Sequence, residues 1–154
     1  MLNRFEQFNF VISGINRCIQ KLERDEMVKY GYKGAFAQYL MVLKHYPEGV
    51  TLTELCEKCD KDKAAVSRIV AEMENKGLVY KENKEAQVYK AKIYLTEKGN
   101  ETARFVAKRV KDALSVVGDK IMTEDERRLF YGVLGDILEK LEVMAKEGIP
   151  KKGE

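Results

Sequence analysis

The sequence predicts a mainly α-helical fold with one small β-hairpin set among the helices, an α+β arrangement. Three observations predict it. Apolar residues recur at three- and four-residue steps through most of the 154 residues, the spacing that gathers them on one helical face. Two S/T-x-x-E patterns, Thr51 to Glu54 and Thr123 to Glu126, mark helix starts by reciprocal capping. Between residues 78 and 95 the period changes to short β-rich runs around a polar NKEAQ stretch, which reads as a hairpin. At 45% hydrophobic and 34% charged, with two prolines, the chain has enough apolar residues to bury a core.

The elements follow in order. From residue 2 to about 29, Phe5, Phe8, Ile12, Ile15, Ile19 and Leu22 form a helical stripe. YGYKG interrupts it with two glycines. A second helix spans about 35–45, with Phe36, Tyr39, Leu40 and Leu43 on one face, and Pro47 and Gly49 end it. The Thr51 box starts a short helix over 52–59, expected to bury Leu52, Leu55, Cys56 and Cys59. Asp62 caps a further helix over 63–76, with Val66, Ile69, Val70 and Met73 inward and Gly77 as a left-handed stop. Strands are expected over 78–82 and 88–95. Thr96 closes the second and caps a long helix in which Ala103, Val106, Val110, Leu114, Val117 and Ile121 keep heptad-like spacing. The Thr123 box opens a last helix to about 146, striped by Phe130, Val133, Leu134, Ile137, Leu141 and Met144.

Charge narrows the function. The net charge is +3, and the window from Lys58 to Lys92 carries all of it, with nine basic residues against six acidic ones. A local positive excess is the footprint of a phosphate-binding surface. No run approaches the ~18 apolar residues of a membrane span, and MLNRFEQFNF lacks a signal-peptide pattern. The expected location is therefore cytoplasmic, with no membrane partner. No phosphate-binding glycine loop, metal-ligand helix pair or nucleophile motif occurs, so neither an enzyme nor a cofactor is expected.

A short helix, a tight turn and a second helix with small polar residues near its start is the helix-turn-helix layout, in which the second helix projects its N-terminal residues at base edges. Ala64 and Ala65 are small enough for close approach, and their methyls suit thymine. Ser67 donates or accepts. Arg68 can fork onto guanine or grip a phosphate. Lys61 and Lys63 stand in the turn and at the helix start, while Thr51 and Thr53 begin the bracing helix. A two-stranded ribbon with Lys81, Lys84, Tyr89 and Lys90 suits a wing, because a narrow minor groove attracts cationic side chains. The whole reads as a winged helix-turn-helix flanked by long helices.

These residues also carry a family resemblance. TLTELCEKCDKDKAAVSRIVAEMENKGLV, followed by IYLTEKG, closely resembles the MarR family of bacterial regulators. Leu55, the DKAAVSR run, the Met73/Gly77-Leu78-Val79 helix exit and the Leu95–Gly99 opening of the long helix match in order and spacing. The resemblance implies one MarR-type domain over 1–154, a DNA-binding module over 33–98 and helical dimerisation regions over 1–30 and 97–147. It implies a homodimer on a pseudo-palindromic operator in double-stranded DNA, usually a repressor released by a small molecule or oxidant. Phe5, Phe8, Ile12, Leu114, Val117, Phe130, Leu134, Ile137 and Leu141 are the expected dimer residues, since C2 pairing would bury their stripes. Many members carry an Asp and an Arg near the wing. Here those positions hold Gln87 and Tyr89, so weaker minor-groove discrimination is expected, lysine lacking the planar fork.

The family's effector pocket lies between the first two helices, the long helix and the DNA module. Tyr30, Tyr32, Tyr39 and His45 are candidates to line it, the alternatives being core packing for the tyrosines and a helix-dipole contact for the histidine. Cys56 and Cys59 form C-x-x-C, but with only Cys18 and His45 besides one chain cannot supply four zinc ligands. Thiol sensing and inert packing both remain readings, as does a winged helix that docks proteins without operator binding. Cys18 lies near the inner stripe of the first helix, where packing is expected.

Overall fold

The computed structural model describes residues 3–82 and 90–151. Its elements are α1 (Arg4–Lys29), α2 (Phe36–His45), β1 (Val50–Thr51), α3 (Leu52–Cys59), α4 (Lys63–Asn75), β2 (Val79–Lys81), β3 (Lys92–Leu95), α5 (Glu97–Ile121) and α6 (Glu124–Glu147). The chain divides into two compact units, Met1–Asp112 and Ala113–Glu154, with the boundary inside α5.

In the first unit each helix lends one stripe to a single core. Met27 closes α1; Phe36, Leu40 and Leu43 come from α2, and Leu55 from α3. Val66, Val70 and Met73, one turn apart along α4, are fully buried, the i, i+4, i+7 geometry of an amphipathic helix. Leu78, Val79 and Ile93 bring in the sheet, and Ala103 and Val106 bring in α5.

Local chemistry fixes the element ends. The Glu54 amide donates to Thr51 Oγ1 at 3.2 Å while the Thr51 amide donates to the Glu54 carboxylate at 2.7 Å. Asn3 and Glu6 make the same reciprocal pair at the start of α1, a box the periodic reading passed over. The Ala65 amide donates to Asp62 at 2.9 Å, and Gly77, at φ 70°, supplies the left-handed exit from α4. Gly99 is needed for a different reason. A Cβ there would stand 1.9 Å from the Leu78 carbonyl oxygen, so the glycine of the Leu95–Gly99 motif lets α5 start directly against backbone.

The sheet is antiparallel and three-stranded, ordered β1-β3-β2, with Val50 opposite Ile93 and Tyr80 opposite Tyr94. Strand β1 was not expected. At two residues it is too short to show alternation, and it runs straight into the capping threonine. The strands are also shorter than the sequence suggests: Leu78 and Glu82 flank β2, and β3 starts only at Lys92. Residues 83–89, which include the expected Lys84, Val88 and Tyr89, lie outside the described residues.

In the second unit Thr123 caps α6 with Glu126, and Arg127 pairs with Asp119 at 2.7 Å and Glu124 at 3.2 Å. No residue of α6 is buried. Three burial expectations need correction. Leu52, Cys56 and Ile69 are half-buried rather than buried, because each sits at the edge of its helix's apolar stripe. Cys18 is exposed, since the step from Ile15 to Ile19 skips it. Ala65 is half-buried rather than exposed, turned toward the stripe of Val66 and Ile69.

Candidate nucleic-acid interface

Helix α3 stops at Asp60, which adopts a left-handed conformation (φ 51°) and donates its amide back to the carbonyls of Cys56 and Glu57. Asp and Asn tolerate this backbone better than most residues do. The turn is held from behind by Gln38 of α2, whose Nε2 donates to the Cys59 carbonyl at 3.1 Å. Asp62 then caps α4, so the first turn of α4 begins at Lys63 with its orphan amides partly satisfied.

With Val66 and Val70 facing inward, the opposite face of α4 presents Lys63, Ala64, Ser67 and Arg68, all exposed, with Lys61 exposed in the turn before them. Arg68 and Lys63 make no ion pair among the described residues. The acids of α4 lie further along: Glu72 pairs with Lys33, and Glu74 stands 3.7 Å from Lys81. The helix thus separates its charge, with unpaired cations at the start and partnered carboxylates toward the end. An N-terminal turn with free cations and outward amides attracts anionic phosphate. Thr53 is exposed at the start of α3, whereas the Thr51 hydroxyl is half-buried and committed to Glu54.

At the hairpin base Lys81 is half-buried beside Glu74, Lys90 is exposed, and Lys92 Nζ donates to the Glu48 carbonyl at 3.1 Å. Tyr80 and Tyr94 stack across the two strands at 5.4 Å. The remaining sequence candidates are dispersed. Tyr30 stacks on Phe105 of α5 at 4.6 Å, Tyr32 packs toward Phe36, Tyr39 is buried, and exposed His45 meets Tyr46 edge-on. Phe5, Leu114, Val117, Phe130 and Leu141 are exposed, while Phe8, Ile12, Leu134 and Ile137 are half-buried.

Burial pushes the Cys59 thiol up to about 11, with Cys56 adding to the effect and Lys61 opposing it. A thiol held neutral at physiological pH is a poor nucleophile. Among the described residues no group of side chains could hold a metal ion, and no helix is long and apolar enough to cross a membrane.

Two helices joined by a capped turn, followed by a hairpin on a three-stranded sheet, define a winged helix-turn-helix protein. Residues 30–87 match the family model of MarR proteins. Solved structures agree in fold. A MarR-family transcriptional regulator from Listeria monocytogenes complexed with 26mer DNA is 19% identical with a TM-score of 0.70, covering 99% of both chains. The oxidised form of MarR from E. coli is 19% identical with a TM-score of 0.67, covering 84% of this chain and 93% of that one. A mutant MepR from a multidrug-resistant clinical isolate of S. aureus is 15% identical with a TM-score of 0.71, covering 87% of this chain and 96% of that one. Comparison with curated proteins by sequence gave no match.

Sequence reasoning missed Gln38, which fixes the turn, and Asp60, which makes it. Nothing periodic announces a half-buried amide on a helix edge. The left-handed Asp60 could have been suspected from CDKD, where a short polar dipeptide separates two helix signals.

Proposed function

We propose that this chain is a DNA-binding transcription regulator of the MarR type that acts as a homodimer on a pseudo-palindromic operator, repressing a nearby operon until a small-molecule effector releases it. The observation that carries the reading is the N-terminal face of α4, where Lys61, Lys63, Ala64, Ser67 and Arg68 are exposed together over a fully buried Val66–Val70 stripe. Small side chains let the backbone approach the groove, and the cations meet phosphate or guanine. Over the whole segment from Asp62 to Gly77, Lys63, Arg68 and Lys76 balance Asp62, Glu72 and Glu74, so the role of this helix is reading bases and gripping a few phosphates. The dimer reading rests on the apolar residues left in solvent at the chain's two ends, among them Phe5 at 68% exposure and Val117 at 54%, because a second copy would bury such stripes. The wing supplies a minor-groove contact through Lys90 and through Lys84 and Tyr89, which lie outside the described residues.

Selection of bound sites from random duplex DNA tests this. An inverted-repeat consensus with half-sites about one helical turn apart is expected. Recovery of no consensus, with no duplex retained at low salt, would leave the fold as a protein-docking module instead.

A further inference from the structure

Arg68 is the side chain of α4 best suited to reading a base, and helix geometry sets the residues that can occupy it. At three and four residues either way these are Ala64, Ala65, Ala71 and Glu72. Three are alanines, so Glu72 is the one charged neighbour along the helix. An arginine and a glutamate at i, i+4 lie within reach of an ion pair, and a guanidinium held by a carboxylate is lost to guanine or phosphate. The other acid near this end of α4, Asp62, is committed to the Ala65 amide at 2.9 Å.

Glu72 turns away from Arg68. Its carboxylate takes Lys33 Nζ at 2.5 Å, and Arg68 has no ion pair among the described residues. Lys33 lies 39 residues earlier, in the connection over residues 30–35 between α1 and α2. That connection is anchored on both sides of it. Tyr32 packs against the core, Phe36 is buried, and the Lys33 carbonyl accepts the Phe36 amide at 3.0 Å. Gly34 is pressed to α1, where a Cβ would come 3.3 Å from the Arg24 carbonyl oxygen. The tertiary fold therefore delivers the ammonium to Glu72. With side chains 65% and 32% exposed, the pair adds little to stability; its consequence for Arg68 is larger.

We propose that Lys33 is a positioning residue for DNA recognition: by holding Glu72 away from Arg68, it keeps the guanidinium free for the operator. The inference rests on the DNA-binding reading of α4 and adds to it a residue that acts without contacting a base. Lys76, four residues beyond Glu72, competes for the carboxylate once Lys33 is removed, but the planar fork of a guanidinium fits a carboxylate better than an ammonium does.

The test is duplex affinity by fluorescence anisotropy, on the full chain with a site selected from random DNA, for Lys33→Ala, Glu72→Gln and the two together. Lys33→Ala should weaken the selected duplex by roughly three- to fivefold, the upper range that exposed ion pairs cover, and relax preference at the same base position as Arg68→Ala. Adding Glu72→Gln should restore parental affinity, because the competing carboxylate is gone. In an Arg68→Ala background Lys33→Ala should cost nothing further, the non-additivity of residues that act through one another. Thermal melts verify that each variant folds. Unchanged affinity of Lys33→Ala, as would follow if Glu72 turned to Lys76, overturns the proposal. So does a loss that Glu72→Gln fails to rescue or that adds in full to Arg68→Ala, since Lys33 would then be a phosphate contact in its own right. If the parent chain retains no duplex even at low salt, the proposed function fails and this role for Lys33 falls with it.

Discussion

Replacing Gly99 by alanine should destabilise the first unit far more than one methyl group suggests. The new Cβ would lie 1.9 Å from the Leu78 carbonyl oxygen and 3.0 Å from its carbon, with Leu95 Cδ2 at 3.3 Å. Relief requires a shift of more than an ångström, and the obstacle is backbone. That same carbonyl accepts the Thr96 amide at 3.0 Å, so moving it disturbs the junction that joins β2 to the start of α5. Overpacking of this kind costs about 3 kcal/mol, the upper end of its usual range. For a chain of 154 residues this corresponds to a fall in Tm of roughly 6–12 °C. Gly118→Ala is the control: nothing lies within 4 Å of its added Cβ, and alanine should gain about 0.5–1 kcal/mol in a helix interior. Melting both variants by circular dichroism separates the two cases. If Gly99→Ala melted within about 2 °C of the parent, the close approach of α5 to the hairpin strand would not exist in solution.

Other consequences are equally direct. Asp62→Ala removes the cap on the Ala65 amide and should cost about 1 kcal/mol in urea unfolding, with a matching loss of duplex affinity that Asp62→Ser largely restores. Cys59 is neutral in the folded chain up to about 11, whereas the unfolded thiol ionises near about 8.5. The stability it contributes is therefore full below that lower value and lost as pH rises toward the upper one. At neutral pH iodoacetamide should modify exposed Cys18 while Cys59 reacts only on unfolding, and peroxide should leave Cys59 reduced. Leu141→Glu places a charge on a half-exposed apolar position of α6 and should convert a dimer to monomers in light scattering, with little change in helix content.

Much of this fold was legible because its elements announce themselves locally. The Thr51 and Thr123 boxes, the Asp62 cap and Gly77 set helix ends within a residue or so, and Val66, Val70 and Met73 set the buried face of α4. What escaped the sequence depended on partners distant along the chain. Strand β1 exists because Val50 pairs with Ile93, and Gly99 matters because of Leu78. The alternation expected to carry the second strand to residue 88 gave way at Lys90 and Ala91, which the structure leaves out of β3. The face of α4 was readable from helical geometry alone. The Lys33 partner of Glu72 was not, since the two lie 39 residues apart and only the tertiary fold brings them together.

The central claim is that α4 reads duplex DNA through its N-terminal face. Its sharpest test is the duplex affinity of Arg68→Ala against a selected site and a scrambled one, measured over a range of salt. A loss of about 1–3 kcal/mol on the selected site, with relaxed preference at one base position and little change on the scrambled duplex, is the result this account predicts. An equal loss on both would make Arg68 a phosphate contact only, and unchanged binding to both, or none at low salt even for the parent chain, would contradict the account.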